Sequence, residues 1–355
     1  MMTQDAALPV LAAESAHTAA APDSLAPAPT IARTHTITPA HIVSPAHAVA
    51  PTHTVTASHV IASTPTVTPP HTVAESLQMA VRSLLDHSDS PRLDAELLLC
   101  KGLGLSRSGL IIHGAESLAV ESARAYDDLI ARRMRGVPVA YLTGTREFWS
   151  LALTVTPDVL VPRPETEMLV ERALELLPPD QERTVLDLGT GSGAIALAIA
   201  AERPRSRITA VDVSPQVLAV AKANSHELRL EPGRRLAQID WRLGSWFDPV
   251  PGERFDMIVA NPPYIASDDP ALARLTAEPV LALVPGPTGL EALGQIVERA
   301  PQHLNPQGWL ILEHGSTQAG DVAHLLRRQG FREIRSYVDY SGKPRITLGT
   351  VRSPN

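Results

Sequence analysis

Asn261-Pro262-Pro263-Tyr264 carries the clearest chemistry in the chain. It follows the apolar run Phe255 to Ala260, which reads as a buried strand. An Asn at such a strand end offers a side-chain carbonyl oxygen and an amide. The two prolines fix φ and remove two backbone donors, so the turn is stiff and the Pro262 carbonyl is left free. Tyr264 adds a flat apolar face with a polar tip. Together Asn261, Pro262, Pro263 and Tyr264 can accept two hydrogen bonds from a planar –NH2 group and hold it against an aromatic ring. A planar nitrogen is a poor nucleophile because its lone pair is delocalised. It reacts when it is gripped, oriented and desolvated. A rigid strand-ending turn without chemistry is the plainer reading of the same residues.

A second constellation lies upstream. Val185 to Leu188 is an apolar strand that runs into Gly189-Thr190-Gly191-Ser192-Gly193 and then a helix from Ala194. Glycines let the backbone approach a ligand, and the helix N-terminus supplies oriented N–H groups. The spacing is G-x-G-x-G, not the G-x-G-x-x-G of dinucleotide sites. The next strand ends at Asp212, whose carboxylate can accept both hydroxyls of a ribose. After the third strand comes Gly244-Ser245-Trp246-Phe247, where Trp246 can pack on an adenine or serve as ordinary core. No Walker-type lysine follows the glycines. A nucleoside with an anionic end and no large phosphate group fits these features, and S-adenosylmethionine is such a molecule. Its ribose would go to Asp212 and its methionine part to the Gly189–Gly193 turn.

Alternating strands and helices must position these groups. Candidate strands are Thr184–Leu188, Ile208–Asp212, Ile239–Leu243, Phe255–Ala260, Trp309–Glu313, Ile334–Val338 and Arg345–Leu348. Helical stretches are Ala194–Ala201, Pro215–Ser225, Leu290–His303 and Gln318–Arg328. This predicts an α/β fold: a seven-stranded, mostly parallel sheet with helices on both faces. The last strand follows too short a turn for a parallel crossover and is expected to run antiparallel. Ahead of it, Val73, Leu77, Val81, Leu84 and Leu85 share a helical face, Ser90-Pro91 opens a second helix, and a third runs from about Leu118 to Met134. The expected organisation is an extension over 1–71, a small helical substrate-binding domain over 72–136, a β-hairpin or linker over 137–164, and the catalytic domain over 165–355. Residues 1–71 are rich in Ala, Thr, Pro and His, with His35, His41, His47, His53 and His59 at six-residue steps. They contain too few large apolar side chains to offset ordering, and the expectation is disorder.

Composition limits the function classes. The chain has 355 residues and a formal net charge of −7. One arginine against three acids places −2 of that in residues 1–71, so the remaining body is mildly acidic and no broad nucleic-acid surface is expected. Cys100 is the single cysteine, which excludes an internal disulfide and a multi-cysteine zinc site. No metal is expected. No apolar run approaches the ~20 residues of a membrane span. No secretory pattern opens the chain, and a cytoplasmic location is expected.

The chain resembles class I S-adenosylmethionine-dependent methyltransferases, and more specifically the HemK/PrmC family of protein-(glutamine-N5) methyltransferases. The resemblance covers roughly residues 72–350. It rests on Pro162 to Glu167, Leu188 to Gly193, Asn261 to Ile265, Glu278-Pro279, Leu312 to Gly315 and Asp339-Tyr340. Thr288 stands near where many relatives carry Asp, and Ser150 where some carry Gly. The resemblance implies transfer of a methyl group to the glutamine of the Gly-Gly-Gln motif in class 1 peptide-chain release factors. A monomer is expected. Gly189 to Gly193, Asp212, Trp246 and Asn261 would contact the cofactor, and Asn261 to Tyr264 would hold the glutamine. A helix start explains Pro162 to Glu167 as well as ligand contact does, so they are not counted in the site. Nor is Glu313, which reads as a structural acid at a strand end. The main rival is a methyltransferase of exocyclic amines in nucleic acid, adenine N6 or guanine N2, since the same corner suits a flipped base. A non-catalytic cofactor-binding scaffold and a nicotinamide-dependent oxidoreductase are weaker rivals.

Overall fold

The computed structural model describes residues 71–352, all within one unit of the chain, Val67–Asn355. The expectation for residues 1–71 falls, His71 apart, outside the described residues.

Helices come first. α1 (Val73–Leu84) starts on a capping box, in which Thr72 Oγ1 accepts from Glu75 N at 3.2 Å and the Glu75 carboxylate accepts from Thr72 N at 2.9 Å. α2 (Pro91–Leu103) has Pro in its first turn and stops at Gly104, whose φ of 64° suits glycine. α3 (Arg107–Ile112), α4 (Val120–Met134) and α5 (Val139–Thr143) follow. Leu84, Leu98, Leu99 and Tyr126 fill the core between them. α2 buries two carboxylates, and both are paired: Arg133 meets Asp94 at 2.7 Å and Arg107 meets Glu96 at 2.6 Å. The apolar spacing does not reveal α3 or α5, which at six and five residues are too short for a 3.6-residue period to show.

A hairpin joins this part to the sheet. β1 (Thr145–Phe148) pairs antiparallel with β2 (Leu151–Thr154). Its turn, Trp149-Ser150, has φ of 52° and 56°, the signs of a type I′ turn. That geometry explains why glycine suits the Ser150 position.

α6 (Glu167–Leu176) then leads into the main sheet. Its strands are β3 (Thr184–Leu188), β4 (Arg207–Asp212), β5 (Gln238–Leu243), β6 (Phe255–Ala260), β7 (Leu304–Glu313), β8 (Arg332–Val338) and β9 (Pro344–Thr350). The order across the sheet is β5-β4-β3-β6-β7-β9-β8. β9 runs antiparallel to both neighbours, and the other pairings are parallel. β7 begins five residues before the expected Trp309, because Leu304 already pairs with Phe255. Pro306 and the polar residues around it hide that segment from an apolar-run reading.

α7 (Ala194–Glu202), α8 (Pro215–Leu230), α9 (Glu291–Arg299) and α10 (Ala319–Arg328) cover the sheet. Alternation sorts the two cores. Val185, Met257, Val259 and Ile311 face one side with α6 and α7; Leu186, Ile258, Leu310 and Leu312 face the other with α9 and α10. α7 is buried at every position from Ala194 to Ala200, which accounts for its lack of a polar stripe.

The chain proceeds outward from β3 through β4 to β5, then returns to β6 on the other side of β3. The carboxyl ends of β3 and β6 therefore form the point where strand order reverses, the usual ligand crevice of open α/β sheets.

Candidate active site

Register alone gathers the chemistry. Leu188 pairs with Val211 and with Ala260, and Ala260 pairs with Leu312. The residues that come next, Asp212, Gly189, Asn261 and Glu313, therefore form a row across the carboxyl edge of four adjacent strands.

A cavity of about 530 Å³ opens over this row. Gly189, Thr190, Gly191, Ser192, Asp212, Trp246, Asn261 and Pro263 line it. Thr166 and Arg163 border it from one side, and the segment from Pro279 to Pro285 from another. Gly193, Pro262 and Tyr264 do not line it. At Gly193 a Cβ would meet Leu197 and Trp241 at 3.1 Å, so this glycine packs behind the turn. Tyr264 stands behind the corner, where its hydroxyl donates to Glu313 Oε1 at 3.3 Å and its carbonyl accepts from Gln318 Nε2 at 3.0 Å.

The Gly-rich turn is tied down from beneath. Gly189 N and Thr190 N both donate to the Val211 carbonyl, at 2.9 and 3.0 Å. Asn224 on α8 donates to Ser192 O at 2.9 Å and to Thr154 O at 3.0 Å, which joins the hairpin to the turn. At Gly191 (φ 58°) an added Cβ would have no neighbour within 4 Å, so the backbone here lies open to the cavity. The Trp246 ring lies against Gly189: a Cβ there would sit 3.5 Å from it. The indole donates to Gln295 at 3.1 Å, which fixes the ring in the wall.

Two acids at this end of the sheet, Asp212 in the row and Asp187 beneath it, are perturbed by burial. Asp212 Oδ2 accepts from Gly191 N and Oδ1 from Ser214 N, each at 3.1 Å. Burial raises its pKa, and these backbone N–H groups oppose the rise. Each oxygen keeps a second lone pair for a ligand. Asp187, wholly buried beneath the turn, is pushed up to about 7 by desolvation, although the Thr190 hydroxyl donates to it at 2.6 Å.

The corner holds two unengaged acceptors, and of the two residues Asn261 lines the cavity while Pro262 is buried behind it. Asn261 Nδ2 donates to Thr166 Oγ1 at 3.1 Å, which turns Asn261 Oδ1 away from Thr166. Among the described residues, neither Asn261 Oδ1 nor the Pro262 carbonyl accepts a hydrogen bond. The segment holding Asn261 to Ile265 is braced further along: Ile265 N donates to Leu283 O at 2.9 Å, and Arg163 forms an ion pair with buried Glu278.

The sequence match agrees with this arrangement. The chain is 48% identical over 269 residues to the release factor glutamine methyltransferase of Pseudomonas aeruginosa, covering 75% of this chain and 95% of that protein. The chain belongs to the release factor glutamine methyltransferase family. The Escherichia coli relative of the same name is 42% identical, again over 75% of this chain and 95% of the relative. Two domain families match within the chain: the PrmC N-terminal domain over residues 75–144 and the methyltransferase small domain over residues 166–320. A solved protein-(glutamine-N5) methyltransferase (release factor-specific) from Alicyclobacillus acidocaldarius is 32% identical, covering 57% of this chain and all of that one, with a TM-score of 0.34.

In this family member the small-domain match begins at Thr166, the residue that orients Asn261. The sequence reading leaves Thr166, Glu313, Asn224 and Asp187 out of the site. For Glu313 a signal exists: a charged residue ends an otherwise apolar strand, next in line to Asn261. Residues 162–167 prove double in role. Pro164–Thr166 is a 3-10 turn entering α6, and Glu167 accepts from Trp149 N at 2.8 Å, yet Thr166 also faces the cavity. Among the described residues no three His, Cys, Asp or Glu side chains cluster as a metal site, and no helix is long and apolar enough to cross a membrane.

Proposed function

We propose that the chain transfers a methyl group from S-adenosylmethionine to the side-chain amide nitrogen of the glutamine in the Gly-Gly-Gln motif of class 1 release factors. The observation that carries this reading is the unengaged acceptor Asn261 Oδ1 in the cavity wall, which the open Gly191 backbone also lines at the reversal point of the sheet, with the unengaged carbonyl of buried Pro262 next to it in the chain. The residues present fit the cofactor. Asp212 has spare lone pairs for two ribose hydroxyls, the Gly189–Gly193 turn suits the methionine part, and Trp246 forms the wall on which an adenine would lie.

Bound S-adenosylmethionine supplies an electrophilic methyl carbon on a sulfonium. Asn261 Oδ1 and the Pro262 carbonyl accept the two N–H bonds of the glutamine amide, which aims its nitrogen and raises electron density there as positive charge develops. With the donor bound, its methyl group would pass to the held amide nitrogen, the carbon–sulfur electron pair would leave with sulfur, and the nitrogen would give one proton to water. Positioning of this kind supplies roughly 7–11 kcal/mol, so no strong general base is demanded. Pro263 and Tyr264 stiffen the corner and keep water from its rear. In this reading residues 72–136 hold the protein substrate, 137–164 link, 165–355 catalyse, and the protein works as a cytoplasmic monomer.

The test is incubation with labelled methyl donor and purified release factor whose acceptor glutamine is intact or replaced. Label is expected only with the glutamine intact. No incorporation, or incorporation into RNA or DNA instead, would overturn the proposal.

A further inference from the structure

An amide side chain is nearly symmetric in shape, and its two ends do opposite things. If Asn261 turned over, its NH2 would face the NH2 of the substrate, two donors with nothing to accept. What stands behind Asn261 therefore decides whether the corner works. That group is Thr166 Oγ1, 3.1 Å from Asn261 Nδ2.

A threonine hydroxyl can donate as well as accept, so it does not by itself fix the amide. It becomes a pure acceptor towards Asn261 only if its own proton is committed elsewhere. Glu313 is the acceptor placed to take it. The register sets it beside Asn261, and the side chain is 1% exposed. Oε1 takes the Tyr264 hydroxyl at 3.3 Å, while Oε2 is buried with no hydrogen-bond partner and is free to accept one. An ionised carboxylate accepts only. Burial pushes Glu313 up to about 7; the Thr166 and Tyr264 hydroxyls and Arg345 favour its charged form, and Glu165 opposes it. Arg163 and Arg345 also act on Tyr264, and burial lowers the pKa of adjacent His314, whose Nε2 lies 2.8 Å from Thr347 Oγ1.

We propose that Glu313 and Thr166 are positioning residues: the buried carboxylate draws the Thr166 proton, the Thr166 oxygen accepts from Asn261 Nδ2, and Asn261 Oδ1 is thereby fixed towards the acceptor nitrogen. This rests on the proposed methyl transfer. Neither residue touches the reacting atoms in this scheme.

Three variants of the full chain test it. Thr166→Val keeps the shape and removes the hydroxyl. It is expected to lower kcat roughly tenfold or more, with cofactor affinity and release-factor KM changed less than about twofold, the pattern of an interaction made in the transition state. Thr166→Ser restores the hydroxyl and should recover turnover to within about threefold of wild type, which lost packing alone would not allow. Glu313→Gln can donate as well as accept; kcat should fall, and the rise of kcat with pH expected in wild type as Glu313 ionises should flatten. Independently of activity, the side-chain NH2 resonances of Asn261 should shift and exchange faster in Thr166→Val and Glu313→Gln. Near-normal turnover in Thr166→Val, a retained acid limb in Glu313→Gln, or unmoved Asn261 resonances in both would each overturn the relay. If Thr166→Val does not fold, Glu313→Gln decides. A wild-type protein that does not methylate release factor overturns the proposed function instead, and the resonance comparison then judges the relay alone.

Discussion

Asn261 must do two jobs with one small side chain, donating inward and accepting outward, and each end has its own consequence. Asn261→Ala removes the outward acceptor. The side chain is only half-buried, so the fold should persist, while turnover is expected to drop about 10²–10³-fold, the scale for one preorganised polar contact. Steady-state methyl transfer alongside a thermal melt checks both halves. Glu313 carries a stability cost that depends on pH. Its folded pKa of about 7 lies above the ordinary 4.5. The folded state therefore holds an extra proton between those values, and stability falls as pH rises through that window, by at most roughly 1.4 kcal/mol per pH unit. Glu313→Gln lacks this slope, so it should gain on wild type between pH 5 and 7 and hold a constant difference above; denaturant melts across pH measure it. Residues of this kind differ in legibility. Asn261, Asp212 and the glycines announce themselves because each follows an apolar strand in a type that strands avoid. Thr166 does not, because its partner is 95 positions away and only folding makes the contact.

At the level of elements, the corner is held by its surroundings as much as by its prolines. Gln318, at the N-terminus of α10, donates to both Tyr264 O and Gly289 O, at 3.0 and 3.2 Å. Gly289 has φ of 76°, and a Cβ there would come within 2.5 Å of the Tyr264 carbonyl. Gly289→Ala must therefore displace the backbone three residues after Asn261 as well as strain its own. A loss of roughly 1–3 kcal/mol in stability is expected, with turnover reduced because the Pro262 carbonyl moves with its neighbour. Chemical denaturation and kcat together test this; an unchanged melt would show that the loop yields freely. The strands that frame the crevice are readable because they are buried on both faces and mostly apolar, with single polar residues such as Asp187 and Asp256 inside them. The brace was not, since Gln318, Gly289 and Tyr264 lie in three separate connections whose meeting no periodicity encodes. The same limit hid α3, α5 and the first half of β7, where short length or a proline removes the pattern.

Across the whole molecule, a cavity of about 530 Å³ is too small to recognise a protein, which leaves that recognition to another surface. A glutamine amide offers only a few contacts, and every protein presents many glutamines. The helical part ahead of the hairpin is the natural place for the remaining selectivity in the proposed function. There Ile111 and Ile112, consecutive on α3, are 81% and 77% exposed, an adjacent pair of large apolar side chains that adds nothing to the core of α1, α2 and α4. Replacing both by Asp removes little packing and turns an apolar contact into a charged one. The expected result is a rise of about fivefold or more in KM for intact release factor, roughly 1 kcal/mol of lost docking. Turnover at saturation, cofactor affinity and methylation of a short Gly-Gly-Gln peptide should stay near wild type, because none of these engages α3. Equal loss with peptide and protein would mean that the substitution reaches the crevice through the fold. Unchanged KM with the intact factor would move recognition to another face, and would leave the exposed isoleucines without a role in substrate choice.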